Sequence, residues 1–145
     1  MNNLKHKIAT VSAVAAVLFL AFSAFAQNPQ KPQTDAEQEK KMSEFIQAQI
    51  DKMETSLKLE SWQTFYVDSI MNHDFRAMQD EVKNLRAAKV SNPEIFLRTE
   101  DKWMEQMYNA FKAVLNEDQW ARYLKIGAAK DKKMRDKRAA KNSSK

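Results

Sequence analysis

The chain reads LESWQ at positions 59–63 and LNEDQ at positions 115–119, so one pattern, a leucine followed four residues later by a glutamine, occurs twice. The two copies lie 56 positions apart, and aromatic residues follow each glutamine closely. On either side of both copies, apolar residues recur at spacings of three and four, the period of an α-helix packed on one face. The repeated pattern therefore predicts two helix starts in a helical chain.

Each copy contains residue types that begin helices. In the second copy Asn116 is a favourable N-cap, and a glutamine stands three residues later, as in a capping box. The first copy is weaker because Glu60 is a poor cap, and Ser61 is the alternative there. We predict a structural role, starting helices rather than contacting a ligand, for Leu59, Gln63, Leu115, Asn116 and Gln119.

The paired pattern resembles the LTxxQ motif of the Spy/CpxP family of small helical periplasmic proteins. The leucine and glutamine match in both copies, whereas Glu60 and Asn116 replace the threonine, and the resemblance spans roughly positions 40–138. It implies extended, curved helical hairpins that wrap around one another, and an antiparallel homodimer with a concave face. It also implies an ATP-independent chaperone or envelope-stress protein that binds unfolded or aggregation-prone exported proteins. The alternative is an adaptor or sensor-modulating protein with one dedicated partner.

The first 26 residues have the three regions of a secretory signal peptide. A basic start is followed by an apolar segment, 8–22, and by the small-residue site Ala24-Phe25-Ala26. Cleavage after Ala26 would start the mature chain at Gln27 and place it in the periplasm of a Gram-negative cell. An uncleaved membrane anchor is the alternative. The chain has no cysteine, which excludes the lipid anchor of a lipoprotein and any disulfide.

The composition favours long helices, because the chain has one glycine and three prolines and lacks alternating strand patterns. We predict an all-α fold with four helices in the mature chain, arranged as two helical hairpins and preceded by a signal-peptide helix. The expected segments are a signal peptide at 1–26, a disordered linker at 27–33, a helical Spy/CpxP-like domain at 34–129 and a basic C-terminal tail at 130–145.

The four helices have recognisable starts and breaks. The first is expected over 35–56 and the second over 60–89. The third should follow a capping box of Ser91 with Glu94, and the fourth should start at Asn116. Beyond about position 130 the apolar pattern fades, so helicity there is left open.

Aromatic and methionine side chains are abundant after the predicted cleavage site, with eleven aromatics and seven methionines. In the second helix Trp62, Tyr66 and Ile70 are spaced as part of one apolar stripe. Core packing accounts for more than half of these side chains. The remainder are expected to form an adaptable, chaperone-like binding surface.

Catalytic and metal sites have little support in the sequence. His73 is the one histidine after the signal, and no glycine-rich phosphate loop or nucleophile motif is present. The adjacent Asp74 is expected to point in a different direction on the helix, and one histidine with a further carboxylate at Asp80 does not make a metal site. We therefore expect no enzymatic activity, no metal and no cofactor.

The C-terminal segment 130–145 contains eight basic and two acidic residues, a net charge of +6, whereas the rest of the mature chain carries −3. Such a segment could contact anionic lipid head groups, lipopolysaccharide or acidic clients, or it could be a solubilising extension. Export argues against nucleic acid as a partner. The predicted partners are therefore unfolded exported proteins, a second copy of the chain and an anionic envelope surface.

We predict that export yields a mature protein beginning at Gln27, because Ala26 completes a small-residue cleavage site. N-terminal sequencing of the exported protein measures this. A chain that keeps Met1 and fractionates with membranes would contradict both the cleavage and the periplasmic location.

Overall fold

The structure is a computed structural model that describes residues 34–143. Within that range the chain is helical almost throughout and contains no strand, which confirms the all-α class. The helices are α1 (Asp35–Leu57), α2 (Ser61–Ala87), α3 (Pro93–Val114), α4 (Glu117–Tyr123) and α5 (Ala129–Ser143). A π-helical turn, Leu124–Ala128, connects α4 to α5, so the predicted fourth helix is one helical stretch with an interruption.

Several expectations concern other parts of the chain. The signal-peptide helix, the cleavage site at Ala26 and Gln27, and the linker 27–33 lie outside the described residues. Among residues 34–143, no helix has the length and apolar character needed to cross a membrane.

The structure identifies the caps of both α2 and α3. Of the two candidates for the cap of α2, the residue is Glu60, and its backbone N–H donates to the side chain of Gln63 at 2.9 Å. The predicted cap of α3 is wrong by one residue, because the cap is Asn92 rather than Ser91, and its side chain accepts from the N–H of Glu94 at 2.9 Å. Proline explains this shift, because Pro93 fits the first helical position and holds the residue before it extended, as an N-cap requires.

Residues Thr34–Trp120 form one compact unit, in which α2 packs against both α1 and α3. Its buried apolar side chains are Met42, Ile46, Ile50, Met53, Leu57, Val67, Met71, Phe75, Met78, Val82, Met107, Phe111 and Leu115. Five of the seven methionines among the described residues are therefore buried. The prediction that core packing takes more than half of the aromatic and methionine side chains therefore holds for the methionines, whose flexible side chains fill this core.

The rotation of α2 about its axis also differs from the expected apolar stripe. Gln63, Val67 and Met71 face the core, whereas Trp62 and Tyr66 are each 52% exposed. Apolar periodicity does not indicate the core face at the start of this helix, because that face includes a glutamine. The hydrogen bonds that bring Gln63 inside are described below.

The chain from Ala121 onward belongs to a second compact unit and is described by itself. It contains the π-helical turn and α5, so the basic segment is helical as far as Ser143. Gly127, the single glycine of the chain, adopts φ 140° and ψ −20° within the turn. Only glycine adopts such a conformation without strain, so this position requires it.

We predict that Gly127→Ala destabilises the protein by about 1–3 kcal/mol, because alanine at this φ introduces backbone strain. Chemical denaturation of the variant measures this loss. A free energy of unfolding equal to that of the native protein would contradict the requirement for glycine at this position.

Candidate functional site

The glutamines of the two motifs meet inside the first compact unit. Gln63 at the start of α2 is 2% exposed, and Gln119 in α4 is 5% exposed. The Nε2 of Gln63 donates to the Oε1 of Gln119 at 2.6 Å, and the Nε2 of Gln119 donates to the Oε1 of Gln63 at 2.7 Å. The two side-chain amides therefore form a reciprocal pair, which we call the glutamine junction.

Each amide of the junction also binds the backbone in the same way. The second N–H of Gln63 donates to the carbonyl of Val114 at 3.1 Å, and that of Gln119 donates to the carbonyl of Lys58 at 3.2 Å. Val114 and Lys58 each precede the leucine of a motif copy, so the arrangement has an internal two-fold correspondence. The junction thus binds the last turn of each preceding helix to the opposite copy.

The amide oxygens of both glutamines accept hydrogen bonds from backbone N–H groups at the helix starts. The Oε1 of Gln63 accepts the N–H of Glu60 at 2.9 Å, and that of Gln119 accepts the N–H of Asn116 at 3.0 Å. Asn116 returns the bond, because its side chain accepts the N–H of Gln119 at 2.9 Å. Each glutamine therefore uses both donors and both acceptor positions, which offsets the cost of burying an amide.

An exposed aromatic cluster lies on the outer side of the same helix start. The cluster consists of Trp62, Phe65 and Tyr66, which are 52%, 68% and 52% exposed. The rings of Trp62 and Tyr66 lie 6.1 Å apart, and those of Phe65 and Tyr66 lie 5.8 Å apart, both edge to face. The indole N–H of Trp62 donates to a carboxylate oxygen of Glu60 at 2.8 Å, which further restricts the orientation of this ring.

The second motif copy lacks this aromatic cluster. At the three positions 56 residues further on, the chain has Asp118, Ala121 and Arg122, all of them exposed. A helix can therefore start from the glutamine junction with small or polar side chains at these positions. It follows that the junction does not require aromatic residues there, so their presence needs another explanation.

A buried carboxylate joins α2 to α3. The side chain of Asp74 accepts the Nε2 of Gln106 at 2.8 Å, and its Oδ1 lies 2.7 Å from the Nδ1 of His73. His73 is exposed and Asp74 is buried, as expected for neighbours on a helix, but the imidazole nevertheless lies within hydrogen-bond distance of the carboxylate. Among the described residues, no group of three or more His, Cys, Asp or Glu side chains is placed to hold a metal ion.

A second polar contact joins the same two helices nearer the end of α2. The carboxylate of Glu81 accepts a hydrogen bond from Lys102 and one from the indole N–H of Trp103, the latter at 2.7 Å. The bond from Lys102 lowers the pKa of the Glu81 carboxyl, against a smaller opposing effect of burial. The carboxylates of Asp74 and Glu81 thus both accept hydrogen bonds from α3, which indicates a structural role.

The sequence motifs and the exposed aromatic cluster are different parts of the same helix start. The spacing of the motifs identified the two glutamines, but it could not show that they contact each other. Helical periodicity placed Trp62 and Tyr66 on one apolar stripe, and the signal of their exposure was the polar counterpart of each in the second copy.

Comparison of the chain with family models, curated proteins and solved structures finds no match. The relation to the Spy/CpxP family therefore remains a prediction from the two motif copies.

We predict that Gln63→Leu and Gln119→Leu each lower the free energy of unfolding by about 1–3 kcal/mol, because each leaves the partner amide buried without its bonds. The loss of unfolding free energy in the double variant should be about 1–2 kcal/mol smaller than the sum of the losses in the two single variants. Chemical denaturation of the native protein and the three variants measures these losses. The control is the exposed Gln47→Leu in α1, expected within about 0.5 kcal/mol of the native protein. Strict additivity would contradict the reciprocal pairing.

Proposed function

We propose that this protein is an ATP-independent chaperone of the periplasm that binds unfolded or aggregation-prone exported proteins through the aromatic cluster. The observation that carries the proposal is the exposure of Trp62, Phe65 and Tyr66 side by side on one helix face. The resemblance of the two motifs to LTxxQ sequences and the signal-like N-terminus support it from the sequence.

The chemistry of the cluster suits unfolded clients. Large aromatic side chains bury 150–250 Å² each, so the cluster can provide several hundred Å² of apolar area, by order of magnitude, for an exposed client segment. Contacts of this kind are not directional, so segments of different sequence can bind. Such binding needs no nucleotide. A surface of three rings gives weak, reversible capture, which lets a client leave and fold.

The second candidate is a non-catalytic adaptor or sensor modulator with one dedicated partner. Its support is the restricted geometry of the cluster, because two edge-to-face contacts and the bond from Trp62 to Glu60 hold the rings in a fixed arrangement. Preformed aromatic groups of this kind are typical of binding hot spots between specific partners. The two candidates share the surface and differ in the number of clients.

The repeat itself supplies a matched variant. Replacing the cluster by its counterparts from the second copy, Trp62→Asp, Phe65→Ala and Tyr66→Arg, removes the aromatic area without changing net charge. We expect this variant to keep the native stability within about 1 kcal/mol, because the replaced side chains are exposed. It should lose most suppression of aggregation, measured by light scattering on several unrelated unfolded proteins.

The reverse exchange is the complementary control. Asp118→Trp, Ala121→Phe and Arg122→Tyr would create a second aromatic cluster at exposed positions. We expect suppression to increase if apolar area is the active feature. If the native protein suppresses the aggregation of none of the clients, the adaptor is favoured. If the variant without the cluster suppresses aggregation as fully as the native protein, the proposed site is contradicted.

A homodimer is part of the same proposal, since the resemblance implies one. We expect light scattering to give twice the mature mass for the native protein and for the variant without the cluster. A variant that becomes monomeric would mean that a second copy covers Trp62, Phe65 and Tyr66, and would overturn their role in binding clients.

A further inference from the structure

Helix α5 carries positive charge along one side. Four of its lysines recur at spacings of three and four, which place them on one face of an α-helix. All four are exposed. We call this row the lysine stripe, and its members are Lys130, Lys133, Lys137 and Lys141.

The acidic residues of α5 lie away from the stripe. At about 100° per residue, both Asp131 and Asp136 fall about 100° around the helix from the middle of the stripe. Asp136 forms an ion pair with Lys132, which is not a member of the stripe. Asp131 is half-buried, and this burial raises the pKa of its carboxyl. The positive charge of the stripe is therefore not interrupted by carboxylates on the same face.

An apolar side chain lies within the basic face. Met134 is 42% exposed and is the one large apolar side chain of α5. It stands four residues after Lys130 and three before Lys137, so it shares their side of the helix. A cluster of four lysines on one helix face attracts anionic lipid head groups, and an apolar side chain among them can contact the boundary beneath.

We propose that the lysine stripe, together with Met134, binds the surface of an anionic phospholipid bilayer. The stripe extends about 16 Å along the helix, and lysine side chains can reach head-group phosphates while α5 lies parallel to the surface. A soluble polyanion could pair with the lysines but would leave Met134 in water. A bilayer satisfies both, because the thioether can enter the boundary between head groups and acyl chains.

The stripe is separate from the proposed chaperone surface. The aromatic cluster belongs to the unit Thr34–Trp120, whereas α5 belongs to the other unit. Substitutions can therefore abolish membrane binding without affecting client binding, and the reverse. If both hold, the protein captures clients while it is associated with the membrane from which exported chains emerge.

The test uses the full mature chain in co-sedimentation with two kinds of vesicle, one containing phosphatidylglycerol and one of phosphatidylcholine alone. Each lysine near an anionic surface contributes about fivefold to affinity, so neutralising four should weaken binding by two orders of magnitude or more. The stripe variant is Lys130→Gln, Lys133→Gln, Lys137→Gln and Lys141→Gln. Glutamine has a helix propensity close to that of lysine, so α5 should persist, which circular dichroism checks.

A charge-matched control separates the stripe from net charge. It loses the same four charges from exposed positions in α1, α2 and α3, namely Lys40→Gln, Lys41→Gln, Lys83→Gln and Lys112→Gln. We expect this control to bind phosphatidylglycerol vesicles nearly as the native protein does, and high salt to release both. Equal loss in the control and in the stripe variant would overturn the proposal.

Substitution of Met134 decides between a bilayer and a soluble polyanion. We expect Met134→Gln to weaken vesicle binding several-fold while leaving any binding to heparin unchanged, because only a bilayer offers an apolar phase. Tighter binding to heparin than to vesicles, with no effect of Met134→Gln on either, would identify an anionic polymer as the partner and overturn the lipid assignment.

Discussion

The first compact unit depends on one requirement, that two buried side-chain amides satisfy all of their hydrogen bonds. Gln63 and Gln119 do this by pairing with each other and with four backbone groups. Burying an amide without hydrogen-bond partners costs as much free energy as several ordinary contacts contribute, so the arrangement permits little variation. It determines where α2 and α4 begin and which side of α2 faces the core.

The exposure of the aromatic cluster is a consequence of that requirement. Gln63 faces inward together with Val67 and Met71, and the positions immediately before Gln63 and two and three after it lie about 100–160° around the helix from the middle of that face, so they face outward. These positions are Trp62, Phe65 and Tyr66, and their burial in the same helix would remove Gln63 from its partner. A polar constraint in the core therefore places an apolar surface in solvent. The second copy meets the same constraint with polar residues outside, so the aromatic surface is an addition to the junction.

The two halves of the repeat share the junction and differ in what surrounds it. The first half has an uninterrupted α2 and the aromatic cluster. The second half has a kink at Gly127 and a lysine stripe on α5. The duplicated framework thus carries two different candidate surfaces, one apolar and one basic.

Local patterns predicted much of this fold, and long-range contacts account for the rest. Helix periodicity and the capping residues located the helices to within a few positions, because both depend on neighbours in the chain. The misplaced cap at Ser91 reflects a stronger local effect of Pro93. Apolar periodicity alone could not predict the rotation of α2, since the rotation depends on a polar partner 56 residues away. The helicity of α5 was also open, because its lysine-rich sequence has few apolar residues to signal packing.

Hydrogen exchange of the side-chain amides tests the central role of the junction most directly. Nuclear magnetic resonance can follow the Nε2 protons of Gln63 and Gln119 alongside those of the exposed Gln47. If the junction holds the first unit together, both buried amides should exchange only when that unit unfolds, with protection equal to that of the slowest backbone amides. Exchange of Gln63 and Gln119 as fast as that of Gln47 would contradict the account.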